Sequence, residues 1–237
     1  MISIIVYGRN DNHGYNLHKR AAISLNTMAE VLTHESDEII FTDYNTPNEF
    51  PTFPEAIADT LTDKCKQLLK IYRVRPNHHL KIGGGDTHLP VIEPVARNVA
   101  LRRSNPQNRW VLSTNTDMIF LPKNAGSLSE NVRNLSSGYY VAPRFELPET
   151  IWEAFSRVEP RQIIEELSNL GKAIHIEEKV YTQNLFDAPG DFQLIEREVL
   201  TSVNGFEEDM IYGWHVDSNI GRRLELYYNE ICDGSIL

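Results

Sequence analysis

One hydrophobic run of the sequence is interrupted by side chains that can bind a cation. The stretch WVLSTNTDMIF, residues 110–120, is apolar at both ends and places Asn115, Thr116 and Asp117 between them. A carboxylate beside an amide suits a hard divalent cation, which takes oxygen ligands and leaves positions for phosphate oxygens. The alternative is a turn in which Asn115 and Asp117 accept hydrogen bonds from backbone N–H groups. The stretch therefore predicts either a metal site or a polar turn.

Two earlier strand-like runs also end in polar residues. SIIVY, residues 3–7, leads into the polar residues 8–11, and EIIFTD, residues 38–43, leads into residues 43–45. Helix-like segments with apolar residues at helical spacing separate the strands. This alternation indicates an α/β fold with a mostly parallel sheet, in which ligands bind at the carboxyl ends of the strands. We therefore expect the three polar clusters to converge on one crevice.

Composition narrows the classes of function. The chain has 237 residues and a formal net charge of -10, which argues against a general affinity for nucleic acid or for anionic membrane surfaces. Cys65 and Cys232 have no metal-type spacing, and we interpret them as reduced thiols of a cytosolic protein.

The length and the N-terminus bound the organisation of the chain. The length favours a single domain over residues 1–237, which could be one module of a longer protein. The first apolar run is too short for a signal peptide or a membrane span. We expect a cytoplasmic protein without a transmembrane segment, with peripheral association with a membrane as the alternative.

The order of several segments resembles one enzyme family. The segments are, in order, SIIVYGRND, EIIFTDYN, the stretch from ARNVALRR to WVLSTNTDMIF, GDFQLIEREVLTSVNGFEED and YGWHVDSN. Their order resembles that of the GT-A glycosyltransferases. The resemblance is to their large inverting group, which includes many bacterial glycan-building enzymes. It covers about residues 1–225, and the order and spacing of the segments carry it.

The resemblance implies a nucleotide-binding half, about residues 1–120, and an acceptor-binding half, about residues 121–237. In the family, four elements contact the nucleotide sugar. They are the loop after the first strand, an acidic residue after the second strand, an Ala-Arg-Asn element and the D-x-D motif. The matching residues here are Tyr7, Gly8, Arg9, Asn10, Asp43, Arg97, Asn98 and Asn115.

The family's D-x-D motif holds Mn²⁺ or Mg²⁺ on the diphosphate, and its match is Asn115-Thr116-Asp117. The first Asp is replaced by Asn, and the last is kept. Because the last carboxylate is usually the direct ligand in this group, the resemblance implies that Asp117 binds the ion. Such an ion would offset the charge on the leaving diphosphate.

The acceptor side contains the clearest departure from the family. The resemblance implies acceptor contacts by Asp191, Phe192, Glu208 and Trp214. Inverting members often read Y-G-E-D-x-D-L, whereas this chain reads YGWHVDSN, so His215 stands where the catalytic carboxylate is expected. A neutral His can take the proton of the acceptor hydroxyl. His215 as general base, His215 as a second metal ligand and Asp217 as the base are all left open.

The resemblance implies transfer of a sugar from a UDP- or GDP-sugar to a hydroxyl of a glycan or another acceptor, with inversion. One alternative is a non-catalytic nucleotide-sugar or glycan-binding domain derived from a transferase. A sugar nucleotidyltransferase is the other, but it would need a basic glycine-rich loop after the first strand. GRNDNHGYN does not supply that loop.

Overall fold

The computed structural model describes residues 1–11, 15–123, 126–142, 144–170, 179–180 and 190–237 of the chain. Among these residues, no helix is both long enough and apolar enough to cross a membrane.

The strands of the described chain form one large sheet and one small one. They are β1 (Ile2–Gly8), β2 (Glu38–Tyr44), β3 (Leu69–Val74), β4 (Trp110–Ser113), β5 (Tyr139–Val141), β6 (Arg144–Phe145), β7 (Lys179–Val180), β8 (Gln193–Glu196) and β9 (Cys232–Asp233). The large sheet has the order β3-β2-β1-β4-β8-β5-β9, and β6 pairs with β7 separately.

Most strand pairs in the large sheet are parallel. β1 pairs in parallel with β2 and β4, β2 with β3, and β5 with β9. β8 is antiparallel to both of its neighbours, β4 and β5. Helices flank the sheet, and the mostly parallel α/β architecture predicted from the sequence is confirmed.

The helices are α1 (Leu17–Glu30), α2 (Phe53–Ala56), α3 (Asp63–Leu68), α4 (Pro76–Gly83), α5 (Glu93–Arg103), α6 (Leu128–Arg133), α7 (Glu149–Trp152), α8 (Pro160–Leu170), α9 (Arg197–Ser202) and α10 (Val216–Tyr228). Successive residues of β1 face opposite layers of the protein. Ile4 packs in one core cluster with Met28 of α1, and Ile5 packs in another with Ile220 of α10. Because both faces of the sheet are covered, its central strands read as nearly continuous hydrophobic runs.

A single amide fixes α5 against the turn that precedes α10. Asn98 is buried, and its Nδ2 donates to the carbonyl of Phe206 at 2.7 Å and to Glu208 Oε1 at 2.8 Å. Its Oδ1 accepts the N–H of Phe206 at 2.9 Å. The neighbouring Gly205 has a φ of +67°, and a Cβ there would lie 2.2 Å from Asn98 Oδ1. The close approach therefore requires a glycine at 205.

We expect Asn98→Ala to lower the free energy of unfolding by about 2–4 kcal/mol, because it leaves the buried N–H and C=O of Phe206 unsatisfied. Urea unfolding of the full chain measures this change. The matched control is Asn48→Ala, an exposed amide, for which we expect a change within about 0.5 kcal/mol. Equal values for the two variants would show that the Asn98 contacts contribute nothing.

Candidate functional site

The three predicted polar clusters lie side by side at the carboxyl edge of the sheet. Gly8 at the end of β1 is in register with Asp43 of β2. The backbone N–H of Asn10 donates to Thr46 Oγ1 at 2.9 Å, which joins the loops after β1 and β2. Thr116, after β4, donates its hydroxyl to the carbonyl of Tyr7. Backbone register and direct hydrogen bonds therefore hold the three clusters side by side at this edge.

Asp43 lies beneath this edge rather than on its surface. Its side chain is 0% exposed, and Oδ1 accepts the Thr46 hydroxyl at 2.7 Å and the Phe53 N–H at 2.8 Å. Oδ2 lies 3.6 Å from Arg73 Nε. The pKa of Asp43 lies above its ordinary value, because the effect of burial exceeds the opposing effects of these hydrogen bonds and of Arg73. The contact of Asp43 with a nucleotide stays a prediction.

The rest of the first loop is held against the loop after β2. Arg9 donates its Nε to the carbonyl of Asn45 at 2.9 Å and forms an ion pair with Asp11 at 2.8 Å. Asn10 is buried, and its Nδ2 donates to the carbonyl of Pro51 at 3.0 Å. These contacts fix the shape of the loop that the resemblance assigns to the nucleotide.

Arg97 of α5 is the buried cation of the site. Its guanidinium pairs with Glu93 at 2.7 Å, hydrogen-bonds Ser113 at the end of β4, and donates to Asn115 Oδ1 at 3.2 Å. Its guanidinium carbon also lies 5.0 Å from the centre of the Tyr7 ring. Burial opposes the charge, but Glu93 and Tyr7 outweigh it, so the pKa of Arg97 lies above its ordinary value.

The phenol of Tyr7 lies close to Arg97 and Glu93. Burial raises the pKa of its phenol well above the ordinary value; Arg97 opposes this shift, and Glu93 adds to it. Tyr7 therefore faces the site as a neutral phenol at physiological pH.

Asn115 links the end of β4 to the turn before β8. Its Nδ2 donates to Asp191 Oδ1, while its Oδ1 accepts from Arg97. The second oxygen of Asp191 accepts from Arg144 Nη1 at 2.6 Å. Asp191 is 3% exposed, so its charge depends on these partners. Phe192 follows and packs edge-to-face on Phe120, with ring centres 5.6 Å apart.

Asp117 lies on the open side of the same edge. Its carboxylate forms an ion pair with Arg20 of α1. Asp117 lines a cavity of about 850 Å³ and His215 lines a separate one of about 200 Å³. In the chain as described, no three His, Cys, Asp or Glu side chains are grouped to hold a metal ion. The carboxylate that the resemblance assigns to the ion is therefore held by a guanidinium in this arrangement.

Trp214 and His215 have an unusual backbone. Gly213, Trp214 and His215 have φ values of +77°, +66° and +58°, so three consecutive residues are left-handed before α10 begins at Val216. A non-glycine residue there costs roughly 1–3 kcal/mol. The Trp214 side chain is 82% exposed, and His215 is also exposed. Both residues line the smaller cavity.

Asp217 lies in the first turn of α10 and not at its cap. Its Oδ1 accepts the N–H of Ser218 at 2.9 Å, and its Oδ2 accepts the N–H of Gly190 at 3.0 Å. A Cβ at Gly190 would lie 2.7 Å from Asp217 Cβ. The carboxylate therefore holds the turn before β8 against α10 while it lines the smaller cavity.

The two cavities share a polar border and bring most of the predicted residues together. Asn115, Arg144 and Asp191 line both of them. Tyr7, Arg97, Trp214, His215 and Asp217 line the smaller cavity, and Asp117 and Phe192 line the larger one. Asn98 and Glu208 lie behind this border, where Glu208 also pairs with Arg102.

Three residues of the site were missed by sequence reasoning. Glu93 lies four residues before Arg97, a helical spacing that is visible in the sequence. Arg20 is 97 residues from Asp117, and Arg144 is 47 residues from Asp191, so no local pattern connects these partners. The sequence therefore carries a signal for Glu93 alone.

The sequence matches no protein-family model and no curated protein. Among solved structures, it is similar to TarS from S. aureus, with 15% identity and a TM-score of 0.58 over 98% of this chain and 34% of that one. It is also similar to the mannosyltransferase PcManGT from Pyrobaculum calidifontis, in complex with GDP-Man and Mn²⁺, with 13% identity and a TM-score of 0.57. That match covers 98% of this chain and 54% of the mannosyltransferase.

A third similar structure is GalNAc-T7 with UDP, GalNAc and Mn²⁺, with 10% identity and a TM-score of 0.51. The match covers 94% of this chain and 40% of GalNAc-T7. The chain thus spans between a third and little more than half of the proteins that it matches. The likeness establishes that this chain has the GT-A glycosyltransferase fold.

Proposed function

We propose that this chain is a glycosyltransferase that moves a sugar from a nucleotide-diphosphate donor to an acceptor hydroxyl. One observation carries the proposal. Tyr7, Arg97 and Asn115, from the nucleotide-binding half, line one cavity with His215 and Asp217 from the acceptor-binding half. This cavity opens at the carboxyl edge of a GT-A sheet, where α/β folds bind their ligands.

The donor would lie along the loops after β1, β2 and β4. Tyr7, Gly8, Arg9 and Asn10 would contact the nucleotide, with Asp43 beneath its base or ribose. Oδ2 of the buried Asp43 lies 3.6 Å from Arg73 Nε but accepts no hydrogen bond from the described residues, and a base or ribose donor would supply one. UDP- and GDP-sugars are the proposed donors.

The proposed reaction is a single displacement with inversion. The acceptor oxygen forms a bond to the anomeric carbon as the bond from that carbon to the diphosphate oxygen breaks. His215 takes the hydroxyl proton, because it is an exposed imidazole at the mouth of the cavity that Asp217 also lines. Asp217 is assigned a positioning role, since both of its oxygens accept backbone N–H groups.

The acceptor would approach past Trp214, with Asp191 and Phe192 on the cavity wall and Glu208 behind it. An exposed indole presents an apolar face on which a sugar ring can stack. A glycan is therefore the proposed acceptor, in a role in polysaccharide biosynthesis. The proposed location is cytoplasmic, with attachment to a membrane surface as the alternative.

The resemblance also implies Mn²⁺ or Mg²⁺, and two of the similar structures contain Mn²⁺. In this chain the predicted ligand Asp117 is paired with Arg20, whose positive charge would oppose an ion at that carboxylate. The proposed reaction therefore includes no step through a metal ion.

A non-catalytic nucleotide-sugar or glycan-binding domain is the second candidate function. The hydrogen bonds of two carboxylates favour this function. Asp191 accepts from Arg144 and Asp217 accepts from the N–H of Gly190, so neither has a free oxygen to act as a catalytic base. Slow donor hydrolysis without acceptor separates the two functions, because only a transferase releases the sugar.

We expect one nucleoside diphosphate, among those of uridine, guanosine, cytidine and thymidine, to raise the melting temperature and to bind in calorimetry. A ligand present at about a hundredfold excess over its dissociation constant stabilises the folded state by about 2.7 kcal/mol. Incubation with the corresponding nucleotide sugar should then release the free sugar. Binding without release would favour the non-catalytic domain. No binding at millimolar concentration would refute the transferase and favour a glycan-binding domain.

We expect His215→Asn to lower kcat by about 10²–10⁴-fold with an unchanged dissociation constant for the nucleotide, because it removes the proposed base. Asn tolerates the left-handed backbone at this position. The control is His78→Asn, an exposed histidine on α4. If both variants retain full kcat, the proton goes elsewhere, and Asp217→Asn becomes the variant to measure.

We expect Trp214→Ala to raise the acceptor KM by about threefold to tenfold, because it removes the stacking face. Its free energy of unfolding should stay within about 0.5 kcal/mol of the parent, since the side chain is solvent-exposed. Leu226→Ala, at an exposed apolar position of α10, is the control for lost surface area. An unchanged acceptor KM would remove Trp214 from the acceptor site.

A further inference from the structure

Both carboxylates next to the shared border of the cavities already have a cationic partner. Asp117 is paired with Arg20, and Asp191 Oδ2 lies 2.6 Å from Arg144 Nη1. Guanidinium groups stay protonated at any pH that proteins meet. A divalent ion at either carboxylate would therefore have to displace an arginine or lie beside its charge.

The side-chain amide of Asn115 also has hydrogen-bonding partners at both of its polar atoms. Asn115 Oδ1 accepts from Arg97, and Asn115 Nδ2 donates to Asp191. The oxygen that replaces the first carboxylate of the D-x-D motif thus faces a buried cation. Asp117, Asn115 and Asp191 are thus each in contact with an arginine.

Arg20 and Arg144 each retain donors that can bind an anion. Arg20 donates its Nε to the Tyr15 carbonyl at 3.1 Å and its Nη1 to Asp117. Arg144 donates its Nε to Glu146 at 2.7 Å and its Nη1 to Asp191. Within the described chain, Nη2 of each arginine makes no hydrogen bond. Both side chains line the larger cavity and are about a third exposed, at 29% and 33%.

A guanidinium held by a carboxylate is a prepared phosphate site. Its position is fixed before the ligand arrives, and its remaining N–H groups form the planar fork that phosphate oxygens match. Two such groups at one cavity can donate hydrogen bonds to the oxygens of a diphosphate without an ion. The acidic net charge of the chain makes this local concentration of arginines necessary for any phosphate ligand.

We infer that Arg20 and Arg144 bind the donor diphosphate and that nucleotide binding requires no divalent cation. The inference rests on the function proposed above. As the bond between the anomeric carbon and the diphosphate oxygen breaks, its electron pair stays on that oxygen. The two guanidinium groups stabilise the added negative charge, and the hydroxyl proton goes to His215.

The experiment titrates the full chain with uridine or guanosine diphosphate, in excess EDTA and in excess Mn²⁺ or Mg²⁺. We expect dissociation constants that agree within about a factor of two. Arg20→Ala and Arg144→Ala should each weaken binding by about tenfold to a hundredfold, because each removes charge-assisted hydrogen bonds. Arg161→Ala is the matched control, since Arg161 pairs with Glu30 on the surface of the protein.

The variant Asp117→Asn gives opposite results for nucleotide binding under the inference and under a metal site at Asp117. A metal ligand at this position predicts that binding is lost, because the amide is a poor ligand for the ion. The inference predicts binding that is several-fold tighter, since a negative charge is removed and Arg20 is released toward the diphosphate. Thermal unfolding of each variant shows whether it is folded, and the comparison of the parent chain in EDTA and in metal does not depend on any variant.

Binding in EDTA that weakens in both arginine variants would support the inference. Binding that appears only with metal and is lost in Asp117→Asn would overturn it and leave the glycosyltransferase proposal intact. Binding of no nucleoside diphosphate under either condition would overturn both.

Discussion

The site depends on the burial of one charge, the guanidinium of Arg97. A buried cation is tolerated only when its donors are satisfied and an opposite charge lies close. Glu93 supplies that charge from one helical turn away. Ser113 and Asn115, at and just after the end of β4, accept hydrogen bonds from the guanidinium. The side chain thereby fixes α5 against two strands. It also orients the Asn115 amide, and Asn115 in turn donates to Asp191.

The consequence is an edge at which three carboxylates are each paired with an arginine. The carboxylates of Glu93, Asp117 and Asp191 pair with Arg97, Arg20 and Arg144 respectively. Such pairing makes the edge nearly neutral on a chain with a net charge of -10. An anionic ligand can then approach without the repulsion that the whole protein would otherwise exert.

Local patterns in the sequence predict the frame of this site well. The runs at residues 3–7 and 38–43 become β1 and β2 with small changes at their ends, because both strands are buried on both faces. The position of Asn115 and Asp117 beyond β4 follows from the same pattern. The partners of these residues could not be predicted, because Arg20 and Arg144 meet them through contacts between distant segments. The deep burial of Asp43 and Asn98 also depends on packing that spacing does not encode.

The left-handed turn at Gly213–His215 has no explanation in stability. It places two non-glycine residues in a conformation that costs free energy, and it leaves an indole 82% exposed to solvent. Within the described residues both side chains are exposed, so burial does not offset this cost. The same turn brings Trp214 and His215 to the cavity that Arg97 and Asp217 line. In the function proposed here, this strained turn is what presents the indole of Trp214 and the imidazole of His215 to the acceptor.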